Sequence, residues 1–365
     1  MQTQAVALNG RFLAAPATGV QRVAEELIKQ LDVLLEGSPP SVPWTLFAPK
    51  DAKRHLALKN IAVRYSRSLN GRIWEQFELP RLVRGQLLIS LCNQAPLLQS
   101  GGVLMVHDAQ AFISPESYSL LFRWWYRFSL PRLAAAADRV VTVSNYSRDM
   151  LIEHNIAPPS KMSVIYNGID HVSSIEADGR CLGRYGLSPR GYVLALSSTQ
   201  KHKNISLLLE VFRQPAKHGL KLALVGGAGR GEFERNGLSA SDNVVFCGAI
   251  SDAELRAMYE NALCLAFPST TEGFGLPPLE AMLLGCPAIV APRGALPEIC
   301  DEAVLYADPD SPGEWSDAID LIARDGVARS GLIEKAQAHA RNFRWDVSAR
   351  KLAAIIADIQ GQPSS

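Results

Sequence analysis

The sequence predicts an α/β protein made of two doubly wound domains with parallel sheets. Short apolar segments rich in β-branched residues alternate with longer segments in which apolar residues recur about every 3.6 positions. This alternation is typical of parallel sheets that carry helices on both faces. The chain has 365 residues. Because a domain commonly has about 150 residues, we expect two domains, each with its own core.

Individual elements follow from the same patterns. The predicted strands are short apolar runs, and they lie at 5–8, 44–48, 103–106, 140–143, 162–166, 192–196, 221–225, 244–247, 264–267 and 288–291. The predicted helices are amphipathic and include 20–35, 120–137 and 252–262. Ligands of doubly wound folds bind beyond the carboxyl ends of the strands, so we expect the functional residues there.

Composition predicts a soluble cytoplasmic protein. Hydrophobic residues make up 47% of the chain and charged residues 20%, which is ordinary for a globular protein. No apolar run approaches the ~20 residues that span a bilayer, and the first residues do not read as a signal peptide. The six cysteines lack Cys-x-x-Cys spacing, so we expect reduced core residues at 92, 181, 247, 264, 286 and 300.

Charge is divided unequally along the chain. Of the 37 Lys and Arg and 36 Asp and Glu, residues 1–168 hold 18 and 12, a balance of +6, and residues 169–365 hold 19 and 24, a balance of −5. A basic first half fits an anionic acceptor or a membrane surface, although such divisions also arise without any function. The acidic second half does not favour nucleic acid.

The segment 268–285 is predicted to be a loop that leads into a short helix. The prolines at 277–278 suit the first helical turn, where a missing N–H costs nothing. Gly285 suits the left-handed position just after the helix. We therefore expect Glu280 in the first turns of the helix and Glu272 in the loop before it.

The residue types of this segment predict a site for a nucleotide-sugar. Gly273 and Gly275 allow the backbone to approach a ligand closely, and the start of a helix offers N–H groups to a phosphate. The carboxylates of Glu272 and Glu280 would accept hydrogen bonds from sugar or ribose hydroxyls. The alternative is a surface loop that enters a core helix and carries two solvated glutamates.

The same segment resembles a known family signature. Seven residues separate Glu272 from Glu280 in the run Glu-Gly-Phe-Gly-Leu-Pro-Pro-Leu-Glu-Ala-Met. This run closely resembles the donor-site signature of the retaining family-4 glycosyltransferases, which have the GT-B fold. The resemblance continues through 285–292, 296–299 and 305–309 and covers most of the C-terminal half. It implies two Rossmann-like domains facing a cleft, with a nucleotide-diphospho-sugar bound to the second.

The resemblance also places the domain boundaries. The run Tyr-Asn-Gly-Ile-Asp at 166–170 resembles the point where family members pass between domains, and 343–350 resembles the segment that opens their last helix. In the family that helix crosses back onto the first domain. The predicted parts are an acceptor-binding domain, a nucleotide-sugar-binding domain, and a crossover helix with a frayed tail, at 1–170, 171–342 and 343–365.

A basic run at 200–204 follows the predicted strand 192–196. A lysine at the carboxyl end of a strand can neutralise the diphosphate of a departing nucleotide. Lys203 matches the lysine of the family's Arg/Lys-Lys-Asn run. His202 stands where arginine is common, so either His202 or Lys201 supplies a second phosphate contact. The alternative is a solvated basic turn before an amphipathic helix.

His107 and Asp108 directly follow the predicted strand 103–106. A lone histidine is more often an ordinary core or surface residue. His107, however, resembles the family histidine that lies near the reactive face of the donor sugar, and the motif at 141–148 follows at a family-like distance. Asp108 would orient the imidazole or contact the acceptor.

Gly19 and Arg22 lie at the start of the first predicted helix. In 17–22, Gly19 resembles the glycine of a family loop that lets donor phosphates or the acceptor approach. As an isolated glycine it also fits a simple turn. Arg22 would meet an acceptor phosphate or be solvated.

Two further motifs do not predict cofactor sites. The glycine-rich run at 224–229 lacks full Gly-x-Gly-x-x-Gly spacing, so we expect it to be the second strand and loop of the C-terminal domain. Asp308 and Asp310 form an Asp-x-Asp pair, but we expect this proline-rich loop to lie far from the other motifs. Magnesium needs several well-placed oxygen ligands, so we predict no metal and no other cofactor.

The segment 120–132 combines five aromatic residues with three arginines. This mixture suits a helix at a lipid interface. It also suits a core helix whose arginines extend outward, and this core interpretation is the one the apolar spacing favours.

The sequence therefore predicts a retaining, metal-independent glycosyltransferase. The donor would be a nucleotide-diphospho-hexose, with mannose the first guess, and the acceptor a free or lipid-linked bacterial saccharide at the inner face of the cytoplasmic membrane. The alternatives are a nucleotide-sugar epimerase of related fold, a glycoside hydrolase and a non-catalytic sugar-binding module. The predicted catalytic residues are His107, Lys203 and Glu272. The predicted donor-binding residues are Gly19, Lys203, Glu272, Gly273, Phe274, Gly275, Leu276 and Glu280. The predicted acceptor-binding residues are Arg22 and Asp108.

Overall fold

The computed structural model describes residues 4–16, 18–37, 41–213 and 219–361. Within them the chain forms two compact units. The first unit contains the chain up to Ile113, then Ser119–Gly168, and the chain from Arg344 onward; the second contains Ser114–Tyr118 and Ile169–Phe343. The tail predicted to fray is 361–365, and its residues 362–365 lie outside the described residues, as does Ala17 of the first glycine motif.

The first unit is built on a seven-stranded parallel sheet. Its strands are β1 (Val6–Asn9), β2 (Trp44–Ala48), β3 (Ala62–Tyr65), β4 (Leu87–Ser90), β5 (Val103–Met105), β6 (Arg139–Thr142) and β7 (Met162–Val164). The helices between them are α1 (Gly19–Gly37), α2 (Gly71–Ile73), α3 (Leu79–Leu82), α4 (Gln110–Ile113), α5 (Leu120–Ala136) and α6 (Asn145–Glu153).

The order of strands in this sheet is β3-β2-β1-β4-β5-β6-β7. Val6 of β1 lies opposite Trp44 of β2 on one side and Leu87 of β4 on the other. The chain thus builds outward from β1 in one direction and then starts again at β4 in the other. The crevice between the ends of β1 and β4 is the topological switch point at which doubly wound folds bind ligands.

The second unit is built on a six-stranded parallel sheet with the order β10-β9-β8-β11-β12-β13. Its strands are β8 (Tyr192–Leu196), β9 (Lys221–Val225), β10 (Val244–Gly248), β11 (Cys264–Phe267), β12 (Ala288–Val290) and β13 (Leu305–Tyr306). Its helices are α7 (Arg180–Arg184), α8 (Ile205–Val211), α9 (Arg230–Arg235), α10 (Asp252–Asn261), α11 (Leu276–Leu283), α12 (Leu296–Cys300), α13 (Pro312–Arg324) and α14 (Gly326–Ala340). The switch point lies between β8 and β11.

The last helix, α15 (Trp345–Ile359), returns to the first unit and packs on α1. Ser348 Oγ donates a hydrogen bond to the Tyr166 carbonyl at 2.5 Å. At Gly168 a Cβ would stand 2.2 Å from the backbone nitrogen of Trp345, so only glycine allows the two segments this close. The predicted crossover helix is confirmed.

The predicted α/β architecture is confirmed, and so is the free state of the six cysteines. All but Cys92 are buried, and Cys92 is partly so. The glycine-rich run at 224–229 ends β9 and forms its following loop, as expected. Among the described residues, no helix is long and apolar enough to cross a membrane.

The first half of α5 corrects the core interpretation of the segment 120–132. The side chains of Leu120, Leu121 and Trp124 are 78%, 77% and 64% exposed. Burial begins only at Ser129, in the second half of the helix. The apolar spacing did not separate these halves because both contain large hydrophobic residues.

Candidate functional site

Lys203 and Glu272 meet at the switch point of the second sheet. Lys203 lies in the loop after β8, and Glu272 lies in the loop after β11. Lys203 Nζ donates a hydrogen bond to Glu272 Oε1 at 2.6 Å, and the two side chains are 27% and 11% exposed. A cation and a carboxylate therefore stand side by side in the crevice that this fold uses for ligands.

Backbone contacts fix these two loops against each other. A 3-10 turn carries Lys203 and ends at Asn204, whose φ of 52° is left-handed, a conformation that asparagine tolerates. The amide of Thr270 donates to the His202 carbonyl at 2.8 Å. The position of Lys203 is thus set by the loop that carries Glu272.

The Asp308–Asp310 loop lies closer to the site than the sequence predicted. Asn204 Nδ2 donates a hydrogen bond to the Pro309 carbonyl at 2.8 Å, so this loop touches the residue next to Lys203. Asp308 itself faces Arg293, with Nη2 and Oδ2 3.3 Å apart. The expectation of a distant loop was wrong. The loop follows the carboxyl end of β13, and the carboxyl ends of β13 and β8 lie on the same side of this parallel sheet.

His202 and Lys201 differ in accessibility. His202 is only 2% exposed, and its Nδ1 lies 2.9 Å from Ser117 Oγ. Its ring stacks on Tyr118 with the centroids 6.4 Å apart. Burial, followed by the charge of Lys203, lowers the pKa of His202 below its ordinary value. Lys201 is exposed, so it is the more accessible of the two to a ligand.

Gly294, which the sequence analysis missed, holds the backbone of Glu272. Its φ is +64°, and a Cβ there would stand 2.5 Å from Glu272 N and 2.8 Å from Glu272 O. The next amide, that of Ala295, donates to the Glu272 carbonyl at 2.9 Å. A glycine soon after a predicted strand was the available signal.

Helix α11 begins as the sequence predicted. Gly275 precedes it with a φ of 105°, and Gly285 follows it with a φ of 77°. Pro277 and Pro278 occupy the first turn and have no N–H, so the amides at this helix start come from Leu276 and the loop before it. The amides predicted to bind donor phosphates are placed at the N-terminus of a helix.

Phe274 contributes to the site through its backbone. Its side chain is 5% exposed and packs edge-on against Phe343, with the centroids 6.0 Å apart. The glycines on either side, Gly273 and Gly275, leave the backbone uncovered by side chains of their own. Phe274 therefore anchors this turn in the core of the second unit.

Glu280 lies beside His171, a residue that was not predicted from the sequence to belong to the site. His171 Nε2 is 3.5 Å from Glu280 Oε1, and the two side chains are 7% and 13% exposed. Burial, and then the negative charge of Glu280, raises the pKa of the Tyr259 phenol well above its ordinary value. His171 thus holds one side of the Glu280 carboxylate within the second unit.

His107 lies just beyond β5 in the first unit and is 5% exposed. Its Nε2 is 2.9 Å from the Leu91 carbonyl, so Nε2–H donates and Nδ1 is the acceptor of the neutral ring. Its backbone N–H donates to Asn93 Oδ1 at 2.8 Å. Burial lowers the pKa of His107 to about 4, so the imidazole is neutral at pH 7. The Leu91 carbonyl thus orients the ring.

The other predicted residues of the first unit lie at neighbouring loop ends. Gly19 is exposed and is the first residue of α1, and the N–H of Arg22 donates to the Thr18 carbonyl at 2.9 Å. Asp108 Oδ1 accepts from the Gln110 amide at 3.0 Å. Lys203, Glu272 and Glu280 belong to the second unit, together with the 273–276 turn.

Two family models match the chain, and together they cover most of it. Residues 17–172 match the model described as Glycosyltransferase Family 4, and residues 187–339 match the model described as Glycosyl transferases group 1. The chain is a family-4 glycosyltransferase. The resemblance seen in the donor-site motif is therefore confirmed at the level of the family.

Curated relatives of this glycosyltransferase include two O-antigen enzymes. The chain is 28% identical over 252 residues to the O-antigen chain mannosyltransferase RfbU of Salmonella typhimurium, which covers 67% of each protein. It is 27% identical over 257 residues to the O-antigen chain mannosyltransferase B of Escherichia coli, again 67% of each. It is 30% identical over 241 residues to the D-inositol 3-phosphate glycosyltransferase of Corynebacterium kroppenstedtii, 61% of this chain and 53% of that protein.

Solved structures confirm the GT-B fold of the glycosyltransferase. Sucrose-phosphate synthase from Thermosynechococcus elongatus superposes with a TM-score of 0.72 at 18% identity, over 98% of this chain and 99% of that one. Anabaena HepE in complex with UDP-glucose gives 0.71 at 18% identity, over 97% and 100%. WaaG, involved in lipopolysaccharide biosynthesis, gives 0.69 at 17% identity, over 96% and 99%.

Proposed function

We propose that this glycosyltransferase moves a hexose from a nucleotide-diphospho-sugar to a bacterial saccharide acceptor, with mannose the first candidate. The observation that carries the proposal is the Lys203–Glu272 pair beside the start of α11. A cation and the amides at the start of a helix suit a diphosphate, and carboxylates suit hydroxyls. Only a ligand that is anionic at one end and rich in hydroxyls at the other uses both.

Each donor group has a partner in this arrangement. Lys203 and the amides of the 273–276 turn bind the diphosphate. Glu272 accepts hydrogen bonds from the hydroxyls of the sugar, and Glu280 accepts them from the ribose. The contact between Lys203 and Glu272 keeps both side chains oriented before the donor arrives.

In the proposed reaction the main role of the protein is to stabilise the leaving diphosphate. The bond from the anomeric carbon to the diphosphate oxygen breaks, and a bond from that carbon to an acceptor hydroxyl oxygen forms on the same face. Because attack and departure share one face, configuration is retained, and the hydroxyl proton passes to the departing phosphate oxygen. Lys203 and the helix amides stabilise the charge that develops on the diphosphate, and in this proposal they take the place of a metal ion.

His107 has a supporting part in the proposed reaction. Because its pKa is about 4, the ring is neutral imidazole rather than imidazolium at neutral pH and is not a general acid there. Its Nδ1 can accept a hydrogen bond from a hydroxyl, since Nε2–H is used by Leu91. We therefore assign it to holding the donor sugar.

The choice of mannose rests on the two O-antigen mannosyltransferases to which the chain is similar.

The proposed setting is the inner face of the cytoplasmic membrane, where the exposed Leu120, Leu121 and Trp124 of α5 would enter the headgroup region. The partly exposed Arg123 and the exposed Arg127 on the same helix would meet anionic lipids.

The experiment is product analysis with GDP-mannose, UDP-glucose and UDP-galactose, each with and without a lipid-linked saccharide extract, with EDTA or magnesium. The proposal expects one donor to label the extract, with an α-linked product from an α-linked donor and no loss in EDTA. Transfer with inversion would contradict the mechanism. Conversion of the donor without acceptor would favour an epimerase, and no turnover of any donor would favour a sugar-binding module.

A further inference from the structure

The first unit contains a cavity of about 150 Å³ that the proposed roles leave unused. Its lining combines an aromatic ring, a carboxylate, two amides and a guanidinium, which belong to Trp125, Glu75, Gln76, Gln94 and Arg72. A volume below the ~300 Å³ of sites for whole drug-sized ligands suits a single ring. None of these residues was predicted from the sequence to belong to a site.

Glu75 places this cavity at the switch point of the first sheet. Asn9, the last residue of β1, donates from Nδ2 to Glu75 Oε1 at 2.8 Å and to Ser90 Oγ at 3.2 Å. Ser90 is the last residue of β4. Arg11 Nε lies 3.0 Å from the same Glu75 oxygen, and the Glu75 side chain is 2% exposed. A buried carboxylate, paired through Oε1, therefore lies in the crevice where the fold binds ligands.

Gln94 provides an independent sign of a ligand. The residue is 6% exposed, and its Oε1 accepts a hydrogen bond from Trp125 Nε1 at 3.0 Å. Because the indole N–H can only donate, this bond identifies the accepting atom of the Gln94 amide as Oε1 and the other as Nε2. Its Nε2 is buried and finds no hydrogen-bond partner among the described residues. Buried donors are rarely left unpaired, so this amide calls for an acceptor supplied from the cavity.

The cavity walls are rigid. Glu75 and Gln76 lie in a π-helical turn, Trp74–Glu78, a widened form of helix that is frequent at functional sites. Gln76 ties this turn to the opposite wall, because its Oε1 accepts from the Leu97 amide at 2.9 Å and its Nε2 donates to the Ala95 carbonyl at 3.0 Å. The polar groups are therefore set before any ligand binds.

The loop that carries Gln94 is also the loop that orients His107. The ring of His107 bonds to the Leu91 carbonyl, and its backbone N–H bonds to Asn93, the residue before Gln94. The cavity thus adjoins the residues assigned to the reaction in this unit.

We propose that this cavity is a subsite for one pyranose ring of the acceptor, an assignment that rests on the proposed function. The ring lies against Trp125, Gln94 Nε2 donates to one of its oxygens, and Glu75 accepts from one of its hydroxyls. A sugar supplies both the acceptor that Gln94 lacks and the donor that Glu75 can take. The aromatic face and the few fixed polar groups are the usual composition of a small-molecule site.

The test is a titration of the whole protein with methyl α-D-mannopyranoside, methyl α-D-glucopyranoside and methyl α-D-galactopyranoside, followed by saturation-transfer NMR. The variants are Gln94→Met and Trp125→Ala. Each has a matched control outside the cavity: Gln99→Met in the same loop and Trp124→Ala, the exposed neighbour on α5. UDP and GDP are titrated against all five proteins, because nucleotide binding reports on the second unit alone.

The proposal expects at least one pyranoside to bind saturably, and to bind about tenfold or more weakly to Gln94→Met and Trp125→Ala. The two controls should bind it as the wild type does, and nucleotide affinity should not change in any variant. Amide hydrogen exchange of the wild type tests the same subsite without any substitution, so its result does not depend on whether the variants fold. Saturating pyranoside should slow exchange in segments 72–76 and 91–97.

Two results would overturn the subsite. One is saturable binding that the cavity variants leave unchanged and that protects neither segment. The other is no pyranoside binding to the wild type up to about 50 mM, with nucleotide binding intact. If no nucleotide binds, the proposed function fails, whether or not a pyranoside binds.

Discussion

The buried imidazole of His107 should make the protein lose stability as the pH falls. Its pKa is about 4 in the folded protein, against an ordinary 6.5. Between these values the unfolded chain binds more protons than the folded one, so stability decreases with decreasing pH. The contribution is complete above pH 6.5. We expect it to fall by about 2 kcal/mol at pH 5 and about 3 kcal/mol at pH 4.

The variant that isolates this contribution is His107→Gln, which can still donate a hydrogen bond to the Leu91 carbonyl. Urea unfolding at pH 7, 6 and 5 should show the wild type losing about 2 kcal/mol more than the variant between pH 7 and pH 5. An NMR titration of the His107 ring should show no protonation above about pH 5. Equal losses in both proteins, or a ring that titrates near pH 6.5, would refute the reasoning.

Three further predictions concern other parts of the protein. His171→Ala releases one side of the Glu280 carboxylate, so the preference for a ribonucleotide over its 2′,3′-dideoxy form should fall about fivefold by calorimetry. Gly294→Ala places a Cβ 2.5 Å from the Glu272 backbone nitrogen at a φ of +64°; urea unfolding should show a loss of about 1–3 kcal/mol, and kcat/KM should fall with it. Trp124→Ala removes an exposed aromatic ring from α5, so binding to anionic vesicles in a sedimentation assay should weaken about tenfold while the melting temperature stays the same.

Each of these predictions has a control within the second unit. His171→Gln, which keeps a hydrogen-bond donor, should restore the ribose preference; if His171→Ala leaves it unchanged, Glu280 does not depend on His171. Gly227→Ala should be neutral, because nothing lies within 4 Å of a Cβ there. A stable Gly294→Ala protein would show that the turn tolerates the clash. Val327→Ala removes an 86% exposed residue; a loss of vesicle binding equal to that of Trp124→Ala would contradict a specific surface on α5.

The donor-side geometry was accessible from sequence because it depends on chain order. Lys203 and Glu272 follow predicted strands, and the carboxyl ends of parallel strands meet at one edge of a sheet. Helix α11 was also predictable, since its prolines and its terminal glycines act locally. Neither inference required knowledge of which distant side chains pack together.

The cavity of the first unit was not accessible in this way. β4 (Leu87–Ser90) was not among the predicted strands, so Ser90 and the following loop, which carries Gln94, had no predicted place at the end of the sheet. In the sequence, Glu75 looks like an ordinary charged residue on a helix. In the structure it is buried and accepts a hydrogen bond from Asn9, which lies 66 positions away. Such burial is a property of tertiary packing, which neither periodicity nor composition carries.

A calorimetric titration of UDP, GDP, ADP and dTDP tests the central claim most directly. The proteins are the wild type, Lys203→Ala and a control, Lys335→Ala. The control also breaks a Lys–Glu pair, in which Lys335 Nζ lies 3.0 Å from Oε2 of the exposed Glu302. We expect one nucleotide to bind the wild type best. Its affinity should fall about 10–100-fold in Lys203→Ala. Its affinity should not change in Lys335→Ala or when magnesium is added. Failure of every nucleotide to bind, or unchanged affinity in Lys203→Ala, would contradict a donor site at the Lys203–Glu272 crevice.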